Sequence, residues 1–314
     1  MKRNLFLLIL SIILLIVGVF FGSSTLTWSE LWESPIAELR FIRMLGAFFI
    51  GGSLALSGLI FQAILKNVLA EPFTLGISGG ASIGTAIAFI WGLHSITIYA
   101  VPFSALLGSL IVLAIVLAIS FRSNYSSENL LLSGIIVGTL AGSLLMYLIS
   151  ISDAQDLASI TYFMLGDLQA VNPQLLLFLG IYASFAVLFF QYFASEINAI
   201  SLGDESAFYQ GVDTRKMSIL FTVAAAFLSA STVALAGIIG FCGLIIPHIV
   251  RRLWGCDHRK IMVSTFGAGG IFLMLCDIGS RVIFTEREIP IGILSAFIGG
   301  PLFLFILRKQ RSFK

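Results

Sequence analysis

The sequence predicts an all-α integral membrane protein that crosses the membrane about ten times. Of its 314 residues, 58% are hydrophobic and 11% are charged, whereas a soluble domain carries about 25% charged residues. Apolar stretches close to the roughly 18 residues of a membrane span recur along the whole chain. The net charge of +2 gives no signature of nucleic-acid binding. We therefore expect one transmembrane domain, residues 1–314, surrounded by membrane lipid.

Ten apolar segments organise the chain, and nine approach spanning length. The first resembles a signal peptide, but its apolar run exceeds the ~7–15 residues of a signal-peptide core, so we interpret it as a retained span. The eighth covers only ~20 Å of a ~30 Å hydrocarbon core, so we expect a half-helix buried inside the protein. The segments are Leu5–Gly22, Met44–Leu65, Leu75–Leu93, Ile98–Ser120, Leu130–Ser150, Pro173–Phe193, Met217–Ala236, Ile238–Val250, Ile261–Phe284 and Ile289–Leu307.

The positions of Lys and Arg predict the orientation. If the N-terminus lies inside and each segment crosses once, only Arg40, Arg43, Arg281 and Arg287 of the 18 Lys and Arg residues lie outside. Positive charge concentrates on the cytoplasmic side, so this distribution predicts ten crossings with both termini in the cytoplasm. The four outside arginines have two explanations. They are ordinary interfacial side chains, or they form a positive rim that meets acidic groups on an extracytoplasmic partner.

Two loops are long. Residues 151–172, outside, are predicted to hold a short interfacial helix. Residues 194–216, inside, contain "GDES", which resembles a helix start because Asp accepts hydrogen bonds from first-turn N–H groups; Gly211 is a candidate helix end. Leu202, Ala207 and Val212 give this loop an apolar side suited to docking on another protein. The alternative is a solvated connector.

Small residues are frequent inside the apolar segments, which lets membrane helices approach closely. Gly46, Gly51, Gly52 and Gly58 predict that the second segment is a central, tightly surrounded helix. Close packing accounts for these glycines. It also permits a path that opens and closes.

Catalytic and nucleotide-binding motifs were not found in the sequence. The chain has no GxxxxGKS loop and no HExxH motif, and His94, His248 and His258 are scattered. The three cysteines, Cys242, Cys256 and Cys276, lack metal-site spacing and are expected to be buried apolar residues. An intramembrane enzyme is therefore disfavoured.

Asp277 is the one carboxylate placed inside a span, where a charge is a functional candidate. It is either a proton-coupling site or an ion-pair partner of Arg281, which lies four residues on along the same helix face. Without a nucleotide site, the chain is either driven by a gradient, as a secondary carrier is, or coupled to a separate ATPase. The long cytoplasmic loop favours coupling to a separate ATPase.

Several stretches together resemble the FecCD family of type II ABC importer permeases. "RFIRMLGAFFIGGSLALSGLIFQAILKNVLAEPFTLGISGGASIG" is similar to its R-x-x-R…G-x-x-L-a-x-S-G-x-x-x-Q…N-P-L-A-x-P…L-G-x-x-x-G-A signature. "FMLGDL", "SLGDESAFYQGVDTRKM", "GIIGFCGLIIPHIVRRLWG", "CDIGSR" and "EIPIGILSAFIGGPLFLFIL" resemble later family segments. The matches run in order over nearly the whole chain. The departures are small: Ile42, Val68, Phe163 and Gln210 replace family Pro, Pro, Trp and Leu.

The resemblance implies a BtuC-like permease fold in the cytoplasmic membrane of a prokaryote. It implies a second permease copy or paralogue, an extracytoplasmic substrate-binding protein, and two copies of an ATPase that uses ATP and Mg. The chain itself would then be no enzyme and would bind no metal or cofactor. An iron chelate, above all a ferric siderophore, is the first substrate expected from family frequency; haem and cobalamin come next, and molybdate is a further candidate.

The resemblance also assigns roles to residues. Docking of the binding protein falls on Arg40, Arg43 and Arg281. Coupling to the ATPase falls on a loop at about 195–216, with Leu202, Gly203, Asp204, Ala207, Gly211, Val212 and Arg215. The translocation path or gate is expected at Gly51, Ser57, Gly58, Gln62, Gly79 and Gly80.

The eighth segment ends on a proline, a histidine and two arginines. Gly240 and Gly243 allow close packing, and Pro247 lacks an N–H, so the helix can bend or end there. His248 is expected to bond nearby backbone groups. Arg251 and Arg252 are expected at the inner interface, where they orient the segment and face the ATPase.

Overall fold

The structure is a computed structural model that describes residues 2–22, 35–122, 126–169, 171–283 and 288–311. These residues form thirteen α-helices and two short 3₁₀ turns, with no strand among them. The helices are α1 (Lys2–Phe20), α2 (Pro35–Ile64), α3 (Ile77–Ile90), α4 (Ala100–Arg122), α5 (Ser127–Ser150), α6 (Ala154–Leu165), α7 (Pro173–Tyr192), α8 (Ala194–Leu202), α9 (Asp204–Tyr209), α10 (Thr214–Ala236), α11 (Cys242–Trp254), α12 (His258–Val282) and α13 (Ile291–Arg311). The 3₁₀ turns cover Pro72–Leu75 and Leu93–Ser95.

The all-α prediction is confirmed, and each of the ten apolar segments contains a helix. Within the described ranges, seven helices are long and apolar enough to cross a membrane: α1, α2, α4, α5, α7, α10 and α12. The short eighth segment is confirmed as α11, with 13 residues.

The third segment is shorter than predicted, because α3 has only 14 residues. Gly76 adopts φ +74° and Gly92 adopts φ +67°. These left-handed conformations suit glycine and end a right-handed helix. The tenth segment is also short in its described apolar part, Ile291–Phe305.

Helix α2 lies at the centre of the bundle, as its glycines predicted. Every residue from Ile50 to Ile64 is buried. A methyl group on Gly51 would overlap the Gly269 carbonyl of α12, and one on Gly58 would overlap the Gly243 carbonyl of α11. The absence of side chains at these positions therefore sets how closely α11 and α12 approach α2.

The two ends of the bundle hold different polar groups. The end that contains Lys66, Asp204 and His258 is called the inner end, following the predicted orientation. The outer end contains Arg43, Asp277 and Glu288. The helix predicted in residues 151–172 is confirmed as α6, and its position at the membrane interface stays a prediction.

Candidate functional site

At the inner end, Gln62 of α2 completes the hydrogen bonding of α11, a helix with a proline in its interior. Pro247 lies inside α11 and has no N–H, so the carbonyl of Gly243, four residues earlier, has no helical donor. Gln62 Nε2 donates to that oxygen at 3.1 Å and to the Leu244 oxygen at 3.2 Å. Arg251 donates through Nη2 to Gln62 Oε1 and so orients the amide.

The role of Gln62 in a translocation path or gate stays a prediction, and the structure shows this side chain packed inside one chain. Gln62 is 5% exposed and is held between two helices of one chain. Gly51, Ser57 and Gly58 are likewise enclosed by neighbouring helices, and the Ser57 hydroxyl has no hydrogen-bond partner. Gly80 packs against the Gly108 backbone of α4. These residues position helices rather than line open space.

Gly79 differs, because it lines an open groove of about 390 Å³ between α3 and α5. Small and hydroxyl-bearing residues form much of its wall, among them Ser78, Gly138 and Thr139. Of the six predicted path residues, Gly79 is the one found in the lining of this groove.

Two residues that the sequence analysis missed meet at the N-terminus of α11. Phe241 adopts φ +67°, a conformation that is uncommon outside glycine and costs about 1–3 kcal/mol. Its backbone N–H donates to the carboxyl of Glu71, which follows α2 in the chain. No local sequence pattern predicts this contact, because Phe241 and Glu71 are remote in sequence and Phe rarely adopts a positive φ.

On the cytoplasmic loop, α9 begins at Asp204, as "GDES" predicted. The reason differs from the one expected, because Asp204 makes no capping hydrogen bond and instead pairs with Lys66 at 2.8 Å. Gly203, at φ +129°, precedes the helix, and Gly211, at φ +77°, follows it as expected.

The structure changes which residues form the apolar side of this loop. Ala207 is fully buried against the chain itself, and Val212 is half-buried. Leu202, Phe208 and Tyr209 are instead exposed, at 74%, 75% and 86%. Arg215 lies over the ring of Phe121 at 5.8 Å. The exposed apolar face of this loop is therefore formed by Leu202, Phe208 and Tyr209.

The outer end holds a network of buried charges. Arg43 Nε lies 2.5 Å from Asp277 Oδ1, and Arg43 Nη1 lies 2.6 Å from Glu288 Oε2. Arg281 Nη2 lies 2.8 Å from Asp277 Oδ2, although the atoms are not aligned for a hydrogen bond. The predicted Asp277–Arg281 ion pair is confirmed, with Arg43 as a further partner. The guanidinium groups of Arg43 and Arg281 thus both lie against this one carboxyl group.

The three arginines of the predicted positive rim that the structure describes are largely buried, and docking of a binding protein on them stays a prediction. Arg40 and Arg281 are 7% and 2% exposed, and the Arg43 side chain is 12% exposed. Arg281 donates to the Gly18 carbonyl at 2.9 Å, and Arg40 donates to the Val19 carbonyl at 3.3 Å. The last carbonyls of a helix lack intrahelical donors, so these arginines cap α1. Arg287 lies outside the described residues.

The remaining predicted residues are Pro247, His248 and the three cysteines. Pro247 and His248 are buried in α11. His248 faces the ring of Phe303 edge-on, with 6.4 Å between centroids. Cys242 and Cys276 are buried as expected, whereas Cys256 is exposed, so its predicted burial is wrong.

A third polar cluster, also missed by sequence reasoning, lies at the inner end where α8 meets the start of α12. Asn198 Nδ2 donates to Asp257 Oδ1 at 2.9 Å, and the His258 N–H donates to Asn198 Oδ1 at 3.0 Å. The donating amide lowers the pKa of Asp257. His258 was noted only as a scattered histidine.

Comparison with known proteins gives the family. Residues 8–309 match the FecCD transport family. The hemin transport system permease HmuU of Yersinia pestis is 33% identical over 98% of this chain and 95% of its own length. The vitamin B12 import system permease BtuC of Yersinia pseudotuberculosis is 32% identical over 91% of this chain and 87% of its own length. The chain belongs to the FecCD transport family.

A solved structure supports the fold of this FecCD protein. It is described as an inward-facing conformation of a metal-chelate type ABC transporter, and it superposes with a TM-score of 0.89 at 30% identity. The alignment covers 98% of this chain and 99% of that one. The FecCD chain is thus a multi-pass permease of a type II ABC importer family, and the predicted resemblance is confirmed.

Proposed function

We propose that this FecCD permease forms the translocation path of an ABC importer for an iron chelate, with a ferric siderophore as the first candidate. The observation that carries the proposal is the near-complete match to a metal-chelate type transporter, covering 98% of the chain. The hemin permease HmuU, at 33% identity, points the same way. The vitamin B12 permease BtuC, at 32% identity, keeps cobalamin as the alternative substrate.

The exposed face of Leu202, Phe208 and Tyr209 supports a cytoplasmic partner on α9. Large exposed apolar side chains at a predicted cytoplasmic loop suit a protein interface rather than water. The partner proposed here is an ATPase, in two copies per importer, which hydrolyses ATP while the permease provides no catalytic chemistry. ATP would act by binding more tightly to one of two transporter conformations, which shifts their populations.

A second copy of the chain, or a paralogue, is proposed to complete the path. Helix α5 carries an exposed apolar row at a spacing of four residues, formed by Leu132, Ile136 and Leu140. The groove that contains Gly79 is open and lies beside this helix. A partner permease packed against α5 would enclose the groove, which one chain leaves open.

The binding-protein docking site is proposed at the outer end, close to Arg43 and Glu288. Arg43 is held by Asp277 and Glu288, so docking would proceed around this network rather than on free arginines. We place the importer in the cytoplasmic membrane of a prokaryote, in line with its bacterial relatives.

The test is purification of the chain from its native host in mild detergent, with mass spectrometry of the proteins that accompany it. The recovered ATPase and binding protein are then reconstituted with the permease in proteoliposomes. Uptake of a ferric siderophore, hemin and cobalamin is compared, with ATP or a non-hydrolysable analogue inside. Uptake that requires hydrolysable ATP is expected, with preference for the siderophore. Uptake by the chain alone, abolished by ionophores, would instead establish a gradient-driven carrier.

A further inference from the structure

The α8–α9 pair forms a compact unit at the inner end. Ala207 of α9 is fully buried, and its N–H donates at 3.0 Å to the carbonyl of Gly203, the single residue that joins the two helices. Ala194, Ile197 and Ile200 of α8 are also buried. Because α9 packs on α8 through these side chains, a displacement of α9 is expected to move α8 with it.

Two polar contacts tie this unit to other parts of the bundle. The Lys66–Asp204 ion pair is largely exposed, with side-chain exposures of 29% and 69%, and exposed ion pairs contribute little. The Asn198–His258 contact is more enclosed, because His258 is only 4% exposed, whereas the Asp257 side chain that also bonds Asn198 is 38% exposed. Asn198 is therefore the stronger polar attachment.

The chemistry of the Asn198 cluster requires an amide. Asp257 accepts at 2.9 Å from Asn198 Nδ2, and Asn198 Oδ1 accepts at 3.0 Å from the His258 N–H. The His258 Nδ1 lies 2.7 Å from the same Oδ1, so that ring nitrogen carries the proton. Asp lacks the donor and Leu lacks both groups, so neither can replace Asn198.

Asn198 also acts on the first turn of α12. The N–H groups of a first helical turn have no intrahelical acceptor. Asp257 accepts from the Arg259 N–H at 3.1 Å, and Asn198, from another helix, accepts from the His258 N–H at 3.0 Å. The start of α12 is thus capped partly by α8, so a shift of α8 acts directly on the end of α12.

Helix α12 connects this cluster to the charge network at the outer end. His258 is its first residue, and Asp277, which pairs with Arg43, is near its last turn. At about 1.5 Å per residue, these two positions are roughly 28 Å apart along the helix. A displacement at the His258 end therefore has a continuous helical connection to the outer network.

We propose that Asn198 is a positioning residue for ATP-driven transport, which ties the α8–α9 unit to the first turn of α12 and passes movement of α9 to that helix. This inference rests on the proposed function, in which an ATPase docks on α9. Asn198 lies within the predicted coupling loop of about 195–216, but it is not one of the exposed residues Leu202, Phe208 and Tyr209 on which the ATPase is proposed to dock.

Cys256 provides a native reporter of this movement. It is the exposed member of the three cysteines in the sequence, and it precedes His258 by two residues. In the assembled importer, the alkylation rate of Cys256 is measured by peptide mass spectrometry with no nucleotide and with ATP trapped by vanadate. In wild type, trapping is expected to change the rate by about threefold to tenfold, which lies within the roughly twofold to thirtyfold range of coupling effects.

The variants N198L and N198D should lose this nucleotide response and transport fewer substrate molecules per ATP hydrolysed, by a similar factor of about threefold to tenfold. The subunit composition and basal ATPase rate should stay within twofold of wild type. D257N should retain coupling, because an amide oxygen still accepts from Asn198. The matched control is S201A, whose hydroxyl bonds only within α8, to the Asn198 carbonyl at 2.7 Å.

The outcomes separate the two proposals. A wild-type chain that recruits no ATPase overturns the proposed function and this inference with it. A wild-type importer that works, together with N198L and N198D variants that keep the Cys256 response, overturns this inference alone. Equal loss in S201A would also overturn it, because the effect would then belong to α8 in general. If N198L does not assemble, N198D, which keeps the side-chain volume, decides the outcome.

Discussion

The side-chain amide of Gln62 donates a hydrogen bond to the Gly243 carbonyl, in place of the backbone N–H that Pro247 lacks. The side-chain amide of one helix thereby completes the hydrogen bonding of another, at 3.1 Å. A buried carbonyl without a partner costs about 1–3 kcal/mol, so the packing of α11 against α2 depends on Gln62. The contact makes the short helix α11 a part of the central packing rather than an independent span.

The variant Q62L is expected to lower the stability of the chain by about 1–3 kcal/mol, because it leaves the Gly243 carbonyl buried without a donor. The measurement is the thermal unfolding temperature of the purified chain in detergent. S57A is the control, since the Ser57 hydroxyl has no hydrogen-bond partner to lose. A sharper check is the double variant Q62L/P247A. Restoring the N–H at position 247 should recover part of the loss, and strict additivity would contradict the proposed relationship.

The variant D277N is expected to destabilise the chain by about 3–5 kcal/mol, because it removes the carboxylate partner of the buried Arg281 guanidinium and leaves Arg43 with Glu288 alone. Transport by the assembled importer should fall in proportion to the amount of folded permease, measured by size-exclusion chromatography. E288Q is the control and should cost less, since the Glu288 side chain is 27% exposed. Full loss of transport with normal folding in D277N would favour a proton-coupled carrier.

Replacing Tyr209 by Glu is expected to weaken ATPase association at least tenfold, because a charge at the centre of an apolar interface must be desolvated. Folding should not change, since Tyr209 is 86% exposed. The measurement is co-purification of the ATPase at equal permease concentration. W91E is the control, because Trp91 is 72% exposed and follows α3 at the opposite, outer end. Equal loss of the ATPase in both variants would count against an interface on α9.

Replacing Ala207 by Glu, in contrast, is expected to disrupt the α8–α9 unit itself. Ala207 is fully buried, and an unpaired buried charge costs several kcal/mol. The variant should therefore raise the proteolysis rate of residues 194–216 even without an ATPase. An intact loop with selective loss of ATPase binding would restore the original expectation that Ala207 faces the partner.

The variant G58A is expected to cost about 1–3 kcal/mol or more, because the added methyl overlaps the Gly243 carbonyl and the helices must separate. G142A is the matched control on α5, where an added methyl meets nothing within 4 Å. That change should be neutral or stabilising by about 0.5–1 kcal/mol, since Gly is unfavourable within a helix. Thermal unfolding of both variants in the same detergent provides the comparison.

Features that depend on local spacing were predicted well. The ten apolar segments, the helix α6 and the start of α9 at Asp204 follow from runs and patterns within a few residues. The Asp277–Arg281 pair was predictable for the same reason, because residues four apart lie on one helix face. The length of α3 was missed, since the left-handed conformation of Gly76 depends on its packing against Gly138.

Features that join remote residues were not predictable in this way. The sequence alone determined that this is a multi-pass α-helical membrane protein and which family signature it carries, and it predicted the orientation, because composition, periodicity and charge distribution follow directly from residue order. Only the tertiary structure decided that Arg40 and Arg281 cap α1, that Gln62 donates to the Gly243 carbonyl, and that Asn198 accepts from the first N–H of α12. Each of these side chains carries hydrogen-bonding groups that can be satisfied in several ways, and the packing of helices distant in sequence selects which partner each one meets.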